Sequence, residues 1–560
     1  MKFSEMQYRR PDLDGLRRDY LRIADRFEKS RSAEEQYRLI LEHEKLSGNF
    51  QTMATLAYIR HSIDTADAFY GAEMDFFDRN TPLAEDGKLQ FYRTAERSRF
   101  KDDLEPYTGG LFFTNIGLML KSFSPTVIDL QKRENTLVTE YEKLLASAKI
   151  NFDGKTLNLS GIQKYAISPD RSVRRDAWGK TAEFFLDHSA RLDELFDELV
   201  KNRTEQARRL GYVNYVQLGY NRLGRNCYGP EEVKNYRKQI VRDLVPVIAE
   251  IKERQAARLG LTGLKFYDDG CLFPDGNPAP KGGRAELVAQ AGKMYHEMSP
   301  LTGEFFDFMT ENELFDLDGK KGKETGGYCT DLPDYRSPFI FANFNGTAGD
   351  VEVLTHEAGH AFASYLARNR KIRETACPTM DGAETHSMSM ELFSRPWDRL
   401  FFEEQTEKFH RYQLEAALDF IPYGCLVDDF QTTIYENPGM TPEERKRTWL
   451  KLEGVYRPWI DFGDLPFFRE GGGYQRQHHI YSFPLYYIDY CLAQTTALEF
   501  WSASEKDWPD AFRRYLAFVK AGGTRTYVDL VKLAGLELPF RDGCIRKLSG
   551  EIRAYLDRPE

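Results

Sequence analysis

The sequence predicts a mainly α protein: a large multi-helical body with a small β-sheet beside one helix. Three observations carry this reading. Apolar residues recur at three- and four-residue spacing over long stretches. These stretches begin at turns containing Pro or Ser, and two of them end at Gly, as helix punctuation requires. Only about residues 326–345 combine strand-forming residues with Gly, Pro and Asn boundaries.

The elements follow in order. Residues 32–77, "SAEEQYRLILEHEKLSGNFQTMATLAYIRHSIDTADAFYGAEMDFF", carry the helical period over many turns. Residues 169–211 and 229–260 do the same. An N-terminal helical lobe is expected over residues 1–150, with a larger helical body over 151–560. The texture changes at "FYDDGCLFPDGNPAPKGG", a loop by composition. Next, "GGYCT" (Gly326–Thr330) and "SPFIFANF" (Ser337–Phe344) read as short strands. Helix resumes at Asp350, an expected N-cap. A second Gly-rich break, "DFGDLPFFREGGGYQRQHH", precedes a helical run from Pro484 to about Trp501.

Composition narrows the function. A 41% apolar, 29% charged chain folds into an ordinary globular protein. The net charge of −10 argues against nucleic acid as a partner, which a basic surface would serve. No run approaches 18 apolar residues, so no membrane span is expected. The start, "MKFSEMQYRRPDLDG", has no apolar signal core, and the seven scattered cysteines contain no CxxC. Both features lead us to expect a reducing cytoplasmic location.

The chemistry begins at "VLTHEAGHAF". On a helix, His356 and His360 stand one turn apart on one face and can converge on one ion. Glu357 lies beside them, placed to take a proton from a water that the metal activates. This is the H-E-x-x-H arrangement of zinc peptidases. A third protein ligand is needed. Ala363 and Leu366 stand where the extended metzincin pattern requires Gly and His, so the ligand comes from elsewhere. The next helical segment, "DGAETHSMSMELFSRPWDRLFF", offers Glu384, His386 and Glu391. The linker from Asn369 to Asp381 spans up to ~35 Å if extended. Geometry therefore leaves Glu384 and Glu391 open, and Asp381 with Glu384 also has the spacing of a capping box. Downstream, Tyr486, Tyr487 and Tyr490 have helical neighbour spacing, which suits either a core stripe or a set of hydrogen-bond donors.

"DLPDYRSPFIFANFNGTAGDVEVLTHEAGHAF", "AETHSMSMELF" and "QHHIYSFPLYYIDYCLAQTTALEFW" together resemble the oligoendopeptidase F branch of the thimet oligopeptidase family. The similarity is strongest from Gly326 to Trp501. It implies a helical body around a deep cleft or channel and one zinc ion per chain. His356, His360 and Glu384 are then the zinc ligands, and Glu391 orients a ligating imidazole. It maps the catalytic histidine onto His479 and the substrate-binding tyrosine onto Tyr490, with Tyr486 and Tyr487 nearby. Oligopeptide substrates are expected. Gly326, Gly327 and Tyr328 are candidates to pair with an extended substrate, or simply form a hairpin. The run Gly471–Gly473 is a candidate hinge. The rival readings are a carboxypeptidase on a related scaffold and a non-catalytic peptide-binding scaffold.

Overall fold

The computed structural model describes residues 1–558. Its first helices are α1 (Leu13–Glu28), α2 (Ala33–Ile63) and α3 (Ala68–Glu96). Asp12, Ser32 and Asp67 cap them, each carboxylate or hydroxyl accepting from backbone N–H groups of the first turn. Leu39, Phe91, Leu104 and Ile116 belong to a core of their own in this N-terminal region. Ile372, from far along the chain, plugs into that core. Helix α4 (Ile128–Ala146) then contributes Leu137 and Tyr141 to the main core, which runs on to Leu556.

A hairpin follows, β1 (Ile150–Phe152) with β2 (Lys155–Leu157). The sequence reading recognised strands only at 326–345, so this pair is a correction. Its signal was the Asp153–Gly154 turn, both residues having positive φ, but three-residue strands carry almost no periodicity. Helix α5 (Arg171–Arg209) is capped by Asp170.

The second sheet has the order β3–β5–β4. Strand β3 (Phe315–Asp318), which lies outside the two strands expected from sequence, runs parallel to β5 (Ser337–Phe344). Strand β4 (Tyr328–Leu332) runs antiparallel to β5 and forms an outer edge. Residues Ser337–Ala342 of β5 are all buried, as a central strand should be. Helix α6 (Gly349–Ala367) leaves this sheet directly. Asp350 is not its N-cap. Ala348 holds that position, and the Asp350 carboxylate instead accepts from the Asn345 and Gly346 N–H groups at 2.8 Å, closing the turn between β5 and α6.

Helix α7 (Met380–Phe393) crosses α6 at Gly359. A β-carbon there would lie 2.6 Å from the Ser387 Cα, so only glycine permits the contact. Helices α8 (Thr406–Glu436) and α9 (Tyr487–Ser504) pack together at Gly424, where a β-carbon would meet the Cys491 sulfur. Gly471, Gly472 and Gly473 are pressed against the Lys446 backbone, the Phe467 ring and the Trp449 indole. That close packing, rather than a hinge, accounts for the glycine run.

All seven cysteines are free thiols. Among the described residues, no helix is long and apolar enough to cross a membrane.

Candidate active site

Because α6 and α7 touch at Gly359, the carboxylate of Glu384 reaches the motif histidines. Its Oε2 stands 3.3 Å from His356 Nε2 and 3.3 Å from His360 Nε2. Ligands about 2.0–2.1 Å from a tetrahedral centre are separated by ~3.3 Å. The donor set and its spacing therefore fit zinc. Among the described residues this is the one cluster of three such side chains within 4.8 Å of each other.

The outer contacts orient the inner ones. His356 Nδ1 lies 2.6 Å from Glu391 Oε1, which turns Nε2 toward Glu384. The Tyr486 hydroxyl donates to the other Glu384 oxygen at 2.5 Å. No capping box forms: the Asp381 carboxylate accepts from Gly382 N–H and Thr379, while Glu384 is engaged by the histidines and Tyr486. Burial opposes ionisation of Glu384, but the His360 and His356 rings hold it well below the usual carboxylate range. His386 points away. It is buried beside Phe518, and burial pushes its pKa down to about 3.

Glu357 is buried on the same helix, and burial pushes its carboxyl above the usual range against the pull of His356 and His360. A β-carbon on Gly327 would come within 3.7 Å of Glu357 Oε1. The motif helix and β4 thus face each other across a cavity of about 420 Å³, lined by Gly327, all of β4, the two histidines, Glu357 and Glu384. Gly326 takes φ of 95°, and its carbonyl accepts from Asn343. The Tyr328 ring lies flat on Phe341 at 4.8 Å and meets Tyr58 of α2 at 5.0 Å, so its side chain turns into the fold while its backbone stays on β4.

The downstream residues form the opposite wall. Tyr486 and Tyr490 both line the metal-site cavity, their rings 4.8 Å apart. Tyr487 does not. With His479 and the far side of Tyr490 it lines an adjoining cavity of about 320 Å³. The His479 ring lies 5.7 Å from that of Tyr490 and 5.0 Å from that of Tyr487. Sequence reasoning missed what orients His479. The Tyr423 hydroxyl donates to Gln477 Oε1 at 2.7 Å, and the Gln477 amide meets His479 Nδ1 at 3.1 Å. That chain makes Nδ1 the acceptor and leaves Nε2 carrying the hydrogen. Burial, with help from His478, lowers the His479 pKa to about 4, so the ring is a neutral donor at pH 7. Nothing in local sequence marks Gln477 or Tyr423, because their pairing joins two distant helical segments.

A third cavity, of about 650 Å³, shares Cys377, Pro378 and Met380 with the metal-site cavity. Leu89 and Phe123 of the N-terminal region line one wall, and Tyr215 and Phe483 line the other.

Known proteins place this arrangement in context. A sequence model of the peptidase M3 N-terminal domain matches residues 3–123, and one of peptidase family M3 matches residues 284–550. A solved structure of Pz peptidase A with an inhibitor is similar at 45% identity and a TM-score of 0.97, over 99% of this chain and 99% of that one. A structure from Bacillus anthracis str. Ames, reported under the name oligoendopeptidase F, is similar at 41% identity and a TM-score of 0.92, over 99% and 98%. Oligopeptidase PepF of Bacillus subtilis (strain 168) is similar at 22% identity over 544 residues, 90% of this chain and 78% of that protein.

Proposed function

The chain belongs to peptidase family M3 and is a peptidase of the endopeptidase type, and on that premise we propose a zinc-dependent enzyme that cuts internal bonds of short oligopeptides. The observation that carries the proposal is the equal 3.3 Å approach of Glu384 Oε2 to both motif imidazoles. His356, His360 and Glu384 would hold one zinc ion. When bound, zinc supplies Lewis-acid activation of water and of the scissile carbonyl.

The chain's own residues do the rest. Glu357 takes a proton from the attacking water and passes it to the leaving amine; its raised pKa suits both transfers. Tyr490, on the wall of the metal-site cavity, and neutral His479, beside it in the adjoining cavity, are the O–H and N–H donors for the oxygen that gains charge. Tyr486 donates to Glu384, whereas Tyr490 has only Tyr486 as a hydrogen-bond partner among the described residues, and this leaves Tyr490 to serve the oxyanion. An extended peptide pairs along the outer edge of β4, where Gly326 and Gly327 let backbones approach. The helical lobe over 1–150 and the body after it together wall the 650 Å³ cavity, the body alone lines the metal-site cavity, and we place the enzyme in the cytoplasm.

The test is metal analysis with a quenched fluorescent peptide, on wild type and Glu357→Gln. One zinc per chain in both proteins, with turnover only in wild type, is the expected result. Turnover by a zinc-loaded Glu357→Gln protein would remove Glu357 as the base.

A further inference from the structure

One face of α6 continues past the metal site. His356, His360, Ser364 and Arg368 follow at four-residue spacing, and all four line the same 420 Å³ cavity. Arg336 and Arg373 line that end as well. The guanidinium groups there are short of partners. Elsewhere in this acidic chain, buried arginines sit on carboxylates, as Arg203 does on Glu134 and Arg225 on Asp489. At the cavity end, Arg336 reaches only Asn369 at 3.4 Å, and Arg368 touches its own Tyr365 carbonyl and ring. Arg373 meets the Gln51 side-chain oxygen; only its backbone N–H, not its guanidinium, holds Glu44. No ion pair holds any of the three among the described residues, although the Arg373 charge reaches Asp331 and Glu44. Asp331 opens on the same cavity but is occupied by the Ser364 hydroxyl.

Guanidinium groups held only by neutral partners around one concave wall are matched by a planar carboxylate, which each can grip through two N–H donors. We propose that this end of the cavity is a carboxylate-binding subsite, so that favoured peptides carry an acidic group at a set distance from the bond that is cut. The proposal rests on the peptidase reading above. The distance follows from the helix. Arg368 lies eight residues beyond His360, a rise of ~12 Å. An extended peptide covers ~3.3 Å per residue. Allowing for the reach of an arginine, the acid stands about two to four residues from the scissile bond. It is either an Asp or Glu side chain or the terminal carboxylate of the peptide.

The experiment uses one neutral peptide, blocked at its N-terminus, with a single Glu walked through the sequence and Gln as control. Each peptide is made as the free acid and as the amide. For wild type we expect about a tenfold higher kcat/KM for the favoured acid, carried by KM and shrinking at high salt. The acid-over-neutral ratio falls to near one in R336Q/R368Q at unchanged zinc content and Tm. A gain that follows the Glu position assigns a side chain; a gain seen only for free acids assigns the terminus. R336Q alone, at an exposed side chain, lowers the ratio in part and keeps the test readable if the double variant unfolds. Binding of the same peptides to Glu357→Gln protein separates the subsite from the chemistry, because that preference needs no turnover. Neutral peptides cut and bound as well as acidic ones, or a preference that survives R336Q/R368Q, would overturn the subsite while leaving the peptidase reading intact.

Discussion

Gly359 and Ser387 bring two helices into backbone contact: a β-carbon on Gly359 would lie 2.6 Å from the Ser387 Cα. The glycine sits inside the motif, between Glu357 and His360, and its partner is one turn past Glu384. The contact sets how deeply Glu384 enters the metal site.

Gly359→Ala should therefore force α6 and α7 apart. Overpacking of this kind destabilises by about 1–3 kcal/mol. The expected readouts are a lower Tm and a zinc site that yields to a weaker chelator. Unchanged metal retention and Tm would mean the crossing relaxes without disturbing Glu384.

Glu384→Gln should lose most of its zinc on dialysis against a mild chelator. Glu391→Gln should keep the three ligands but lose the 2.6 Å contact to His356 Nδ1. Such outer partners are worth about 10- to 100-fold in metal affinity. A competitive chelator titration measures both, and equal affinities for wild type and Glu384→Gln would reject Glu384 as a ligand.

The two tyrosines should separate in kinetics. Tyr490→Phe should lower kcat by about 10²–10³ with little change in KM, as loss of an oxyanion donor does. Tyr486→Phe removes the bond to Glu384 Oε1 and should show first as weaker zinc binding. A KM effect alone in Tyr490→Phe would recast that residue as a contact for substrate rather than for the oxyanion.

Much of this was legible from residue spacing. The helices announced themselves by period, and the four-residue step in the motif places His356 and His360 on one face whatever surrounds them. Elsewhere spacing was a poor guide. Asp350 and Asp381 both had N-cap patterns, yet one closes a loop and the other leaves Glu384 free for the histidines. Strand β3 and the 150–157 hairpin are too short for periodicity to register. The glycines at 359 and 424 and the Tyr423–Gln477–His479 chain depend on contacts between distant segments, which no local pattern encodes.

His43 offers a pH test away from the site. It is fully buried against Phe91, neither ring nitrogen has a hydrogen-bond partner, and burial lowers its pKa to about 3. The Glu374 charge pulls the other way and Lys88 adds to the lowering, but burial is the largest cause. Between about pH 6.5 and 3 the unfolded chain binds a proton here that the folded chain refuses, so stability falls as pH is lowered through that window. His43→Phe removes this linkage. From pH 7 to pH 5 the variant should gain about 2 kcal/mol relative to wild type. Parallel stability curves in urea at the two pH values would show that His43 is protonated in the folded state.

Substrate length is the last expectation, and it follows from where the cavities lie. The metal-site cavity shares Cys377, Pro378 and Met380 with the 650 Å³ cavity and Tyr490 with the 320 Å³ cavity, so the three lie side by side. A folded protein cannot thread a loop into such a space, whereas an extended chain can enter and pair with β4. We expect cleavage of peptides of roughly 5–20 residues, at internal bonds, and little action on intact globular proteins. A length ladder of one sequence, blocked at both ends, measures this. The rate should rise once the peptide spans both sides of the metal and fall again when it outgrows the enclosed space. If the short peptides and an intact globular protein are cut equally well, the cavities open far wider than they stand here, and enclosure plays no part in choosing the substrate.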